Sequence, residues 1–281
     1  MFQKNRTTSR TYAYNPTRFF ALTYFFTWGF WFLSDYFSHQ QGAYITFVIL
    51  MLLGLAAPSY SALAMILSSK NQNLLMDFEK RLFNLRIIQP SHLPAIFLIM
   101  PFAAIVAIGI SSFFSPTVNP FRLNFQFSFT LGFLPAPILL ILASALEELG
   151  WRGYGVDSLN TQFNYFTTTL IFAFLWASWH FPLLFLKNSY YYHVVHHNIG
   201  FVINTFVSII PMAFIINWIY RKNNRSIIAA VLFHAVANFT QEIIPLSQAT
   251  KCIETGVLFV FAIIIVIKDK VLFFDTPLRM E

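Results

Sequence analysis

The sequence predicts an all-α fold, a polytopic integral membrane bundle of about eight transmembrane helices with both termini cytoplasmic. Three observations predict it. Only 10% of the 281 residues are charged while 57% are hydrophobic, and 35 are Phe; a soluble domain carries about 25% charged residues. The charges also cluster, so that residues 36–69, 87–121, 123–146, 158–186 and 188–220 contain no Asp, Glu, Lys or Arg. Runs of about 20 apolar residues cross a bilayer, and alternating strand-length segments of the barrel type are absent. Finally, Lys and Arg fall on alternate connections. With a cytoplasmic N-terminus, 15 of the 18 lie on inside segments, and only Arg122, Lys187 and Lys251 lie outside. That bias is the positive-inside pattern, and a wrong span count would scramble it.

The candidate spans are about 19–38, 43–66, 93–113, 126–146, 165–186, 199–220, 226–244 and 252–268. The first is too long for a signal-peptide core and no small-residue cleavage site follows, so it reads as a retained span. Between the second and third lies the longest polar inside segment. There Leu74, Leu75, Phe78, Leu82, Phe83 and Leu85 recur at helical spacing with charges between them, the pattern of a helix lying along the inner membrane surface. The fourth span carries Pro135 and Pro137 near its middle, where they are expected to bend it and free carbonyls. Pro182 is expected to do the same just after His180 in the fifth. The seventh and eighth have the shortest charge-free centres. No linker is long enough to divide the chain, so residues 1–281 read as one membrane domain with a catalytic core at about 126–244.

The net charge of +7 follows from the inside bias and from attraction to an anionic inner leaflet; the expected partners are membrane lipids and a membrane-associated peptide or protein, not nucleic acid. Cys252 is the only cysteine, which excludes an internal disulfide and a cysteine-rich metal site. Localisation is expected in a cell membrane as a multi-pass protein.

Function is sought where polarity is expensive. An ionisable group inside a span costs about 2.5–3.5 kcal/mol on insertion scales, and the chain is expected to be nearly free of mid-span polar groups apart from a few places. These are Glu147 with Glu148 at the end of span four, His180 in span five, and His234 with Asn238 in span seven. Glu148 and Arg152 are i,i+4 and can pair, whereas Glu147 points about 100° away and can turn into the bundle. His234 and Asn238 share a face, as do Trp176 and His180. A carboxylate in a low-dielectric pocket is a usable general base, a neighbouring His shares its proton, and a second His with an Asn amide donates to a developing oxyanion. That set attacks an acyl carbon with water. Taken singly, each feature also fits a salt bridge, a packed histidine or an interhelical hydrogen bond.

The residues resemble the CPBP intramembrane proteases, the family of Rce1-like CAAX prenyl endopeptidases and bacterial Abi proteins. "EELGWR" matches its EExxxR signature, "WASWH" its aromatic-xxxH motif and "HAVAN" its HxxxN motif, in the family's order. The resemblance covers about residues 130–242. It implies an eight-helix bundle and an intramembrane endopeptidase in which Glu147 activates water with His180, His234 and Asn238 form the oxyanion site, and Glu148 with Arg152 braces the set. Trp176 stands where the motif more often has Phe, which alters pocket shape. Its implied substrate is a membrane-associated, lipidated or CAAX-like peptide.

Four readings compete with parts of this one. Glu147, His180 and His234 could form a His₂-carboxylate zinc site, although no HExxH is present and a metal-free glutamate mechanism is favoured. His193, His196 and His197 could capture metal in an outside loop, although a tyrosine belt with exposed histidines fits better. A non-proteolytic membrane-interaction or bacteriocin-immunity protein could keep the bundle without catalysis; the complete motif set favours the enzyme. A transporter is disfavoured, because no paired, Gly-interrupted half-repeat appears.

Overall fold

The computed structural model describes residues 14–114, 123–125, 135–187 and 189–275. Among these every regular element is helical, as the composition predicts. The tail cations Lys4, Arg6, Arg10 and Arg279, together with Arg122 and the first part of span four, lie outside the described residues.

Helix α1 (Pro16–Ser38) packs on α2 (Tyr44–Leu55), which continues into α3 (Ala57–Ser68) through a 46° bend. Pro58, in the first turn of α3, supplies no backbone donor to the preceding helix, which accounts for the break. Helix α4 (Gln72–Phe83) is followed by α5 (Leu93–Phe114) and α6 (Ala136–Gly150). A π turn over Trp151–Gly155 leads into the short α7 (Val156–Asn160), and α8 (Tyr165–Trp179) follows. Then come α9 (Tyr190–Val195), α10 (Ile199–Val207), α11 (Ile209–Lys222), α12 (Ile227–Ile243), α13 (Gln248–Lys268) and α14 (Lys270–Phe274). Helices α6 and α12 lie side by side; α3 packs on α6 and α5 on α12, while α8 lies on α11 and α13 on α5 and α11.

Among the described residues four helical segments are long and apolar enough to cross a membrane: Pro90–Phe114, Tyr165–Leu184, Ile199–Lys222 and Gln248–Lys268. The bent α2–α3 pair makes a fifth if it counts as one span. The exterior is apolar, with Phe25, Ile45, Phe113, Phe174 and Ile267 all more than half exposed. The interior instead holds Thr23, Thr27, Ser144, Asn217 and the Glu148–Arg152 pair. Apolar faces turned outward and polar groups gathered within are what hydrocarbon as solvent demands. The chain is a multi-pass membrane protein.

Pro135 and Pro137 fall at the start of α6, and residues 126–134 of this span lie outside the described residues. Pro135 is the residue before α6 and Pro137 lies in its first turn, where a missing N–H costs nothing. The α4 segment is amphipathic as expected, and one of its cations is drawn into the interior. Leu74 and Phe78 are buried, Phe83 faces out, and Arg81 is only 2% exposed. Pro182 acts as anticipated, with α8 ending at Trp179 and giving way to a single tight turn.

Close approach of α6 to α3 fixes where the glutamates sit. A Cβ built on Gly150 would lie 2.3 Å from the backbone of Pro58, so only glycine permits the contact. Ser59 adds a hydrogen bond to the carbonyl of Leu146.

Candidate active site

The two adjacent glutamates of α6 diverge. Glu148 is fully buried, and Arg152 Nη1 donates to its Oε1 and Oε2 at 2.9 and 2.8 Å. Their i,i+4 spacing survives the π turn that begins at Trp151. Asn217 of α11 accepts from the other side of the guanidinium, its Oδ1 lying 3.2 Å from Nε and 2.8 Å from Nη2. Thr169 in turn accepts from Asn217 Nδ2 at 3.0 Å. Phe172 and Trp176 present ring faces 4.8 and 5.5 Å from the guanidinium carbon, so the buried cation is enclosed by acceptors and aromatic faces. His234 Nδ1 lies 2.9 Å from Glu148 Oε1. The carboxylate therefore couples Arg152 on its own segment to His234 on α12.

Glu147 turns the other way. Its Oε2 accepts from the indole N–H groups of Trp176 at 2.9 Å and Trp151 at 3.3 Å, and it lines a cavity of about 220 Å³ with Trp31, Trp179, His180 and Tyr191. Trp176 thus does more than shape the pocket: a phenylalanine at this position would have no N–H to offer.

His180 ends α8, with Nδ1 2.8 Å from the carbonyl oxygen of Trp176. A carbonyl only accepts, so Nδ1 carries a proton, and in the neutral form of the ring the Nε2 lone pair is free. Tyr191 stacks on this ring at 5.5 Å, so one tyrosine of the expected outer belt faces the site. A second cavity, about 330 Å³, is lined by His180, His234, Asn238, Trp176 and Tyr191. The predicted residues are therefore distributed over two cavities that share His180 and Tyr191, with Glu147 in the first and His234 and Asn238 in the second. Asn238 Nδ2 donates to Ser144 Oγ at 3.1 Å, which ties α12 to α6.

Beyond this set, Arg81 of α4 donates Nη1 to the carbonyl of Arg152 at 2.8 Å and Nη2 to that of Gly153 at 3.1 Å, clamping the π turn. Arg81 also pairs with Asp157, as does Arg225 at 2.6 Å. Burial pushes the Asp157 carboxyl up, but Arg225 and Arg81 outweigh it and hold the group below its usual range.

Among the described residues no three His, Cys, Asp or Glu side chains converge as a metal-binding set. That covers Glu147, His180 and His234, whose Nδ1 atoms and Oε2 are taken by Trp176, Glu148 and two indoles, and it covers His193, His196 and His197.

The sequence reading missed Asn217, Trp151, Tyr191 and Glu254. Asn217 and Glu254 lie inside predicted spans and are buried, so the expectation of spans otherwise free of polar groups is corrected; the same rule that singled out His180 would have found both. Trp151 and Tyr191 carry no signal of that kind.

Comparison with known proteins agrees with the motifs. The model of the family described as Type II CAAX prenyl endopeptidase Rce1-like matches residues 128–240. The chain is also similar to "CAAX prenyl protease 2" of Methanococcus maripaludis, 41% identical over 265 residues that cover 94% of this chain and 98% of that protein. With the three motifs inside the matched region and likeness along nearly the whole length, the chain belongs to the Rce1-like CAAX protease family and is a membrane-embedded protease.

Proposed function

We propose that the protein hydrolyses a peptide bond in a membrane-associated, lipidated or CAAX-like substrate by a glutamate-activated water. The observation that carries this reading is the divergence of the paired glutamates. One is locked to Arg152 and His234, and the other lines a cavity beside His180.

In this reading Glu147 takes a proton from water, assisted by the Nε2 lone pair of His180. The oxygen bonds to the scissile carbonyl carbon, and the resulting oxyanion accepts from His234 Nε2–H and an Asn238 amide N–H. Glu148 accepts from His234 Nδ1 and so supports the imidazolium that such donation needs. Collapse breaks the C–N bond as Glu147 returns its proton to the leaving amine. Trp176 and Trp151 orient the Glu147 carboxylate through their indole N–H groups. The substrate class rests on the name of the Methanococcus relative. The one-domain, eight-span bundle with cytoplasmic termini and a core at 126–244 belongs to the same proposal, supported by the positive-inside pattern and by helices at each of the eight places.

The test is cleavage of a quenched lipidated peptide panel by purified wild type and Glu147→Ala, with and without a chelator. Cleavage by wild type, none by the variant and no chelator effect are expected. Loss with chelator and return with zinc would replace the mechanism while keeping the protease. Turnover by Glu147→Ala at the wild-type rate would remove Glu147 from the chemistry.

A further inference from the structure

The 330 Å³ cavity does not end at His234 and Asn238. One turn further along α12 its wall continues with Gln241 and Glu242, and α13 contributes Lys251, Glu254 and Thr255. Glu254 is 4% exposed, and among the described residues its hydrogen-bond donor is a single group, Gln241 Nε2, at 2.9 and 2.8 Å from the two carboxylate oxygens. A carboxylate offers about four acceptor positions, so most of its capacity is unused. No cation stands within ion-pair distance among the described residues. The nearest candidate by position, Lys251, turns instead to Tyr190, with Nζ 4.3 Å from the ring centroid and 3.3 Å from the hydroxyl.

A buried carboxylate with no cation in direct contact is costly to hold, and inside a membrane protein such a group marks a site. Here it faces the same cavity as the residues assigned to the oxyanion. We propose that Glu254 forms a specificity subsite for a basic side chain of the substrate, an ammonium or guanidinium group, with Gln241 orienting the carboxylate. This rests on the reading of the site given above. Gln241 follows Asn238 by three residues, a rise of about 4.5 Å along the helix. An extended peptide advances about 3.3–3.6 Å per residue. The basic residue therefore falls within about two positions of the scissile bond.

The experiment compares peptide pairs identical except for Lys or norleucine, placed in turn at the two positions on either side of the bond. The ratio of kcat/KM for the pair is read with wild type, Glu254→Gln and Glu254→Asp. A charge-assisted hydrogen bond of about 1.5–3 kcal/mol corresponds to a preference of roughly ten- to hundredfold. Wild type is expected to favour Lys by at least about tenfold at one position. Glu254→Asp should retain part of that ratio and Glu254→Gln should bring it near one. No Lys preference at any position, or a preference that survives in Glu254→Gln, overturns the proposal and leaves Glu254 as a neutral packing partner of Gln241. The same ratio is read as Kd by fluorescence anisotropy in a Glu147→Gln background. If that variant still cleaves, the catalytic assignment falls while the Kd ratio continues to judge Glu254.

Discussion

Replacing Asn217 with Ala tests whether the Glu148–Arg152–His234 group is held from outside the three motifs. Asn217 Oδ1 accepts from both Nε and Nη2 of Arg152, and both residues are fully buried. Truncation leaves two guanidinium donors without an acceptor and removes the donor to Thr169. Hydrogen bonds to charged groups contribute about 1.5–3 kcal/mol each. Because the two share one oxygen, the loss should be about 3–5 kcal/mol. A guanidinium freed on that side shifts Glu148 and with it His234; displacement of a positioned group by about 1 Å costs on the order of 100-fold in rate. The assay pairs denaturant unfolding of detergent-purified protein with kcat on a lipidated peptide. Asn217→Asp, which keeps the acceptor, should recover most of the stability. A double-mutant cycle with Glu148→Gln should be strongly non-additive, since both act through Arg152. A loss below about 0.5 kcal/mol, or additivity in the cycle, would refute the linkage.

Two further outcomes follow from the packing and the charge cluster. Gly150→Ala places a methyl 2.3 Å from the Pro58 backbone, where neither helix backbone can yield cheaply; overpacking costs about 1–3 kcal/mol, and thermal unfolding should show at least that loss. The Asp157 carboxyl, held below its ordinary 3.8 by Arg225 and Arg81, binds protons less readily when folded than when unfolded. Its contribution to stability is therefore present above that pH and is lost as pH falls below it. Tm against pH should be flat for this group from about pH 5 to 8 and drop below about 4; Asp157→Asn should lower the plateau and flatten the drop, and parallel curves would contradict the assignment.

Much of the architecture was legible because the bilayer constrains sequence so strongly. Each apolar run of span length became one or two helices, and the breaks fall near Pro58 and Pro211, as proline's missing donor predicts. The i,i+4 pairing of Glu148 with Arg152 was legible because both partners lie on one helical segment, where spacing fixes geometry. The placement of Pro135 and Pro137 at the start of α6 was not legible for a related reason: their effect depends on where a helix starts, and a continuous apolar run does not mark that point.

What the sequence could not supply is which faces meet. Asn217 lies 65 residues from Arg152 and Trp176 lies 29 from Glu147, and no local pattern encodes those contacts. The sequence by itself determined the all-helical membrane class, the Glu148–Arg152 pair and the motifs that identify the family. Tertiary structure alone decided that His234 answers to Glu148, that two indoles hold Glu147, and that Glu254, without an ion-pair partner among the described residues, shares the cavity of His234 and Asn238. The physical reason is that hydrophobic periodicity orients each helix toward lipid or interior, whereas the choice of partner across the interior is made by side-chain shape and hydrogen bonding between helices distant in sequence.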